Sequence, residues 1–302
     1  MAGKFFRSFG IALGTALTPG LALAAEGQPS PGEIGMQDSV TPIADSIHAF
    51  HNGILLWTAI GISLLVLALL IVIIVRFNAR ANPTPARFTH NTLLEVVWTA
   101  LPVIILVVIA IPSFAVLTDQ MTIPDGERKY LGSNIFSFGE VDVPAPGLTV
   151  KVTGAQWYWT YEYVDQGASF DSLMLGDEER LAQDPVQPAL LAVDNMMVVP
   201  VNTTVRVQVT ASDVIHAFAV PSFGIITDAV PGRLNETWFN ARKEGVFYGQ
   251  CRELCGKDHA FMPIAVRVVS QDVFDAWMTA LQGGSVSSAN ATLPPLAAGP
   301  AA

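Results

Sequence analysis

Charged side chains are scarce in this chain: Asp, Glu, Lys and Arg make up 14% of it, against 51% apolar residues. That balance excludes an ordinary soluble globular protein and predicts membrane spans. Histidine is rare, with five in 302 residues, and cysteine is rarer, with Cys251 and Cys255 alone. Two cysteines leave room for one intrachain disulfide. The lack of any cysteine just after the leader excludes a lipid-anchored amino terminus. Acid is absent between Arg76 and Leu94, although arginine is not.

What is there falls into blocks. Residues 1–25 carry Lys4 and Arg7, an apolar stretch and small residues ending in Ala24 and Ala25, the pattern of a secretory leader. Residues 26–53 are expected to form an exposed periplasmic arm, because Glu26 to Asp45 is rich in Pro, Gly and acid and shows no periodicity. Two uncharged runs of 22 residues follow, 54–75 and 96–117, each long enough for a membrane-crossing helix, which needs about 20 residues. Pro102 and Pro112 are tolerated in the second, where neighbouring helices can satisfy freed carbonyls. The loop 76–95 carries Arg76, Arg80 and Arg87, which places it in the cytoplasm and both chain ends outside. This agrees independently with the leader.

Residues 118–147 read as a polar connecting segment. From Leu148 to about residue 282, short β-branched and aromatic runs broken by Gly, Pro, Asn and Asp predict seven or more strands at sandwich spacing. DVFDAWMTAL is expected to form a short amphipathic helix, and 283–302 to be a low-complexity tail. The predicted architecture is a two-helix transmembrane hairpin plus an all-β, cupredoxin-like Greek-key sandwich. Residues 118–302 hold 21 acids against 11 bases, a surface suited to steering a basic partner as well as to solvation.

The densest chemistry is YGQCRELCGKDHAFM, residues 248–262, with Cys251, Cys255, His259 and Met262. Thiolate, imidazole and thioether together form the donor set of copper electron-transfer sites, soft sulfur suiting Cu(I) and nitrogen Cu(II). Two thiols three residues apart can bridge a pair of copper ions. Such a pair needs a second imidazole, and His216, in the strand-like run DVIHAFAVP, is the candidate, since His48, His51 and His90 lie beside the apolar spans. A Cys251–Cys255 disulfide and a zinc site are the competing explanations. The first leaves His259 and Met262 without a purpose, and the second has little use for a thioether. Glu95, in LLEVVWT, is either a helix-dipole acid or a functional ionisable group at membrane depth.

The runs HAFAVPSFGIITDAVPGRLNETWF and EGVFYGQCRELCGKDHAFMPI resemble subunit II of the bacterial haem-copper cytochrome c oxidases, and the resemblance extends from about residue 45 to about 280. It implies a dinuclear copper A centre held by His216, Cys251, Cys255, His259, Met262 and the backbone carbonyl of Glu253. It also implies that the Glu253 side chain reaches a magnesium ion shared with subunit I. The first tryptophan of the W-Y-W run, Trp157, would receive the electron, and Glu162, Asp171, Asp194 and Asp213 would line the docking patch for cytochrome c. Glu95, in a similar E-x-x-W-T segment, would stand at the entrance of a proton pathway.

The implied function is to take electrons from cytochrome c and pass them to haem in subunit I, which reduces O2 to water and pumps protons. Subunits I and III are the expected partners, and the bacterial inner membrane is the expected location. With two spans and five histidines the chain cannot hold the haems itself, so it is expected to be part of an enzyme. Ile226 stands where such sequences usually carry lysine. Two rivals remain: a quinol oxidase subunit II, which has the fold without the copper ligands, and a membrane-tethered copper-binding protein.

Overall fold

A computed structural model describes residues 27–296 apart from Pro31, Pro85 and residues 136–138. The expected leader lies outside the described residues. Three long helical pieces come first: α1 (Pro42–Phe50), α2 (Leu56–Arg76) and α3 (Thr92–Met121). A five-residue π-helical stretch, His51–Leu55, joins α1 to α2 into one run of 35 residues. Among the described residues, this run and α3 are the two helices long and apolar enough to cross a membrane.

At 1.5 Å per residue, the first run is about 50 Å long, well beyond a hydrocarbon core of about 30 Å. Its surplus is α1, which corrects the expectation that 26–53 is an exposed arm. Thr41 caps α1, its Oγ1 accepting from Ala44 N at 3.1 Å and donating to the Phe223 carbonyl at 2.7 Å. Ile43 and Ala44 are buried, and Arg242 pairs with Asp45. The apolar turn is too short to show a period among its polar neighbours, and the surface that buries it comes from 180 residues further on.

The second helix is also longer than its apolar run. It starts at Thr92, where Asn91 Oδ1 accepts from Leu94 N, and continues to Met121. Asp119 can lie in its last turns because its carboxylate accepts from Arg128 and from Leu131 N, both at 2.8 Å. The connecting segment is not wholly irregular: β1 (Lys129–Tyr130) and β2 (Val141–Asp142) pair as a small antiparallel ribbon.

The outer domain holds β3 (Leu148–Ala155), β4 (Tyr158–Tyr163), β5 (Ala168–Ser172), the short helix α4 (Asp177–Leu181), β6 (Met197–Pro200), β7 (Thr204–Ala211), β8 (His216–Val220), β9 (Ile225–Ala229), β10 (Asn235–Asn240), β11 (Gly245–Cys251) and β12 (Pro263–Val269). Two five-stranded sheets result, in the orders β10-β7-β3-β4-β5 and β6-β12-β11-β8-β9. The pairs β3/β7 and β6/β12 are parallel and the rest antiparallel. Alternation puts one face of β3 and β4 inward: Val150 and Val152 of β3, and Trp159, Tyr161 and Tyr163 of β4, are fully buried between the sheets.

The amphipathic helix expected after Gln271 is α5 (Gln271–Gly283), which buries Phe274, Trp277, Met278 and Leu281. The low-complexity tail is partly ordered. α6 (Val286–Asn290) buries Ala289, and Asn290 Oδ1 accepts from the Trp277 indole N–H at 3.1 Å. Small residues gave no apolar period, but one alanine and one asparagine suffice to seat this turn. Residues 297–302 lie outside the described residues.

Candidate metal centre

Cys251 ends β11, and its register opposite Phe218 on β8 brings it beside the start of that strand, where His216 stands. The chain then loops through Glu253, Cys255 and a single 3-10 turn at His259–Phe261 before Met262 leads into β12. Adjacent strands therefore deliver every sulfur and imidazole of the expected set to one end of the sandwich. Cys251 Sγ lies 3.9 Å from His216 Nδ1 and 3.9 Å from Cys255 Sγ. Cys255 Sγ is in turn 3.5 Å from His259 Nδ1 and 3.5 Å from Met262 Sδ. The Glu253 carbonyl is 3.3 Å from Cys251 Sγ.

The disulfide alternative fails on these distances, since an S–S bond is about 2.05 Å. Both cysteines are free. What remains is a cluster of two thiols, an imidazole and a thioether that are buried, with the half-buried His259 imidazole and the carbonyl of the exposed Glu253 at its edge, a soft donor set that fits copper and is poorly matched to zinc. Burial, with Cys251 alongside, pushes the Cys255 thiol up to about 12, so a metal that binds there must displace its proton.

The surroundings fix one imidazole closely. His216 is completely buried, and its Nε2 donates to Asp213 Oδ1 at 2.9 Å, which leaves the Nδ1 lone pair facing the thiols. Burial works against ionisation of Asp213, but hydrogen bonds from His216 and from the N–H groups of Val214 and Gln156 outweigh it and hold the carboxyl below the usual range. The ring of His216 also needs Gly154 beneath it, because a Cβ there would stand 3.0 Å from His216 Cδ2. Trp159, fully buried, donates its indole N–H to the Met262 carbonyl at 3.1 Å and so anchors the thioether.

Residues 148–269 match the family described as "Cytochrome C oxidase subunit II, periplasmic domain", and residues 29–116 the one described as "Cytochrome C oxidase subunit II, transmembrane domain". The chain belongs to the cytochrome c oxidase subunit II family. A probable cytochrome c oxidase subunit 2 of Rickettsia bellii is 45% identical over 282 residues, 93% of this chain and 95% of that protein. The cytochrome c oxidase subunit 2 of Cereibacter sphaeroides is 43% identical over 86% of this chain and 84% of its own. A crystal structure of the periplasmic domain of subunit II of cytochrome oxidase of Bradyrhizobium japonicum is 59% identical, covering 47% of this chain and 97% of its own, with a TM-score of 0.43.

The other expected residues of this subunit II chain are dispersed. Trp157 sits in the β3–β4 turn, partly buried, with Lys257 Nζ 5.7 Å from its ring centroid. Glu162 on β4 pairs with Lys151 at 3.0 Å, and Asp171 on β5 accepts from Thr160 Oγ1 at 2.6 Å. The cross-strand register puts both acids on the outer face of one sheet. Asp194 accepts from Leu173 N at 2.7 Å, and Asn195 beside it donates to the Asp171 carbonyl. Asp213 stands apart from these three, on the β7–β8 loop, engaged with His216. Glu253 and Ile226 are exposed, and Glu95 occupies the first turn of α3.

Sequence reasoning did not find Gln156, Gly154 or the orienting role of Asp213. The D-x-x-H spacing of Asp213 and His216 was the available signal, because an acid three residues before a ligand histidine can reach back to its second nitrogen.

Proposed function

We propose that this chain is the electron-receiving subunit of a cytochrome c oxidase of the bacterial inner membrane, taking single electrons from cytochrome c at a dinuclear copper A centre and passing them to a haem of subunit I. The observation that carries this reading is that His216, His259, Met262 and the Glu253 carbonyl each lie within 3.9 Å of a cysteine sulfur, with Cys251 and Cys255 3.9 Å apart. Copper held by these residues would supply one-electron exchange.

The chain's own residues do the rest. The packed strands exclude water from the donors, with Cys251, Cys255, His216 and Met262 each at most 5% exposed. Asp213 fixes the His216 tautomer, and Trp159 holds the Met262 backbone. Trp157 lies between solvent and the Cys255 loop, where it offers a π-system to an arriving electron. Glu162, Asp171, Asp194 and Asp213 supply negative charge for a basic donor. The Glu253 carboxylate, a hard ligand, is free to meet magnesium at the boundary with subunit I, and Glu95 would admit protons from the cytoplasmic side. Subunit III completes the expected complex.

Purification of the complex with metal analysis and electron-spin spectra tests the assignment. A delocalised mixed-valence signal supports it. A single-copper signal favours the membrane-tethered copper protein, and absence of copper favours the quinol oxidase relative. Met262→Leu is expected to leave copper bound while shifting its reduction potential and slowing electron exit, because a thioether is a weak ligand; loss of all copper would contradict that role. Trp157→Phe is expected to lower the rate of electron arrival from cytochrome c while the copper spectrum stays normal. Unchanged stopped-flow rates would move the route elsewhere.

A further inference from the structure

Trp157 is held by more than its own turn. The Asp213 carboxylate spans two elements: Oδ1 accepts from His216 Nε2 at 2.9 Å, and Oδ2 from the backbone N–H of Gln156 at 2.7 Å. The side chain of Gln156 reaches across 99 residues of sequence, its Nε2 donating to the Cys255 carbonyl at 2.7 Å. Immediately beyond that carbonyl, the Gly256 backbone lies against the Trp157 indole. A Cβ on Gly256 would stand 2.9 Å from Trp157 Cζ2, and its φ of +127° already favours glycine. Gln156 itself is exposed, so its amide is not filling a core. Its one side-chain hydrogen bond goes to the backbone of a cysteine donor.

We propose that Gln156 is a positioning residue that clamps the tryptophan turn onto the Cys255 loop, fixing the gap between the Trp157 ring and the sulfur cluster. The inference rests on Trp157 as the receiving residue. Its physical basis is that two segments of different strands approach face to face here with no covalent link. Asp213 ties the turn to the His216 side of the cluster, and Gln156 ties it to the Cys255 side. Removing the amide frees the turn on the second side only, so the ring can lift from Gly256 while every donor atom stays in place.

The test uses the assembled oxidase with Gln156→Leu, which keeps the side chain uncharged but removes the amide donor. Hydroxyl-radical footprinting with mass spectrometry reads the accessibility of Trp157 directly. Oxidation of Trp157 is expected to rise at least about threefold, with the copper absorption band unchanged. Electron arrival at saturating cytochrome c is expected to fall severalfold, because lifting the ring widens the gap the electron must cross. KM should stay within about twofold, because docking charge is untouched. Gly256→Ala, which pushes the same ring from the other side, should give the same pattern.

Unchanged footprinting in Gln156→Leu overturns the proposal, as does a rise in KM alone. Raised footprinting in Gln156→Leu, in an oxidase where Trp157→Phe leaves the rate unaltered, supports the clamp and refutes the receiving role of Trp157. The two readings therefore fail separately.

Discussion

Replacing Cys255 by Ala is expected to abolish the metal centre and cut turnover with cytochrome c by at least about a hundredfold, while leaving the sandwich folded. Cys255 is the hub of the cluster: its sulfur is the one in reach of the other thiol, of His259 and of Met262. Without it, Cys251 and His216 remain as a pair at one side, and His259 and Met262 lose their shared neighbour. Two donors at one side make a weak, open site, so bound copper should fall to background. The fold should survive because alanine replaces one small side chain in a loop, at a cost of about 1 kcal/mol for the atoms removed. Metal analysis and near-ultraviolet dichroism of the same sample decide the matter. Retained copper with the mixed-valence signal would sink the bridging assignment, and a lost dichroism signal would show that the fold failed instead.

Trp159→Ala is expected to have the largest effect on stability. Its ring is fully buried between the sheets, edge-on to Phe218 at 5.5 Å and to His216 at 6.0 Å. Deleting a buried tryptophan side chain costs about 3 to 5 kcal/mol, from lost burial and from the cavity left behind. The Met262 carbonyl loses its donor as well, which adds about 1 kcal/mol or more for a buried acceptor left alone. For a domain of this size that corresponds to a fall in melting temperature of roughly 15 to 25 °C. Copper affinity should drop along with it, because the same indole fixes the Met262 backbone and one wall of the His216 pocket. Calorimetry on Trp159→Ala and Trp159→Phe separates the two contributions. The phenylalanine variant should recover most of the stability yet still bind copper less firmly. Equal copper affinity in both variants and the parent chain would remove Trp159 from the site.

How much of this could be read in advance differs from element to element. The membrane runs declared themselves because twenty uncharged residues have few other uses, but their ends did not. Asp119 looked like the start of a loop, since nothing local announces that Arg128 and Leu131 will satisfy it. The sandwich strands showed their alternation at β3 and β7, where one face is buried, and less clearly at β8, which is buried throughout, and at β12, where only Arg267 is partly exposed. Cys251, Cys255, His259 and Met262 were legible because twelve consecutive residues hold them all. His216 was found by elimination among five histidines. Gln156 was not legible at all: a glutamine before a tryptophan carries no pattern, and its partner is a backbone carbonyl 99 residues away.

The helix that overshoots the bilayer has a mechanical meaning. α1 is bonded through Thr41 to Phe223, and the end of α3 is bonded through the Asp119 carbonyl to the Trp238 indole. Two rigid rods thus grip the β-domain at two points, as a camera is fixed to a bracket rather than hung from a strap. If the domain relays electrons as proposed, a swivelling mount would leave it out of range of an acceptor for much of the time, because tunnelling falls off steeply with separation. Under the proposed function, such a fixed mount would hold the sulfur-bearing end of the domain at one distance from its acceptor, so that the relay distance would be set during folding instead of being searched for at each turnover.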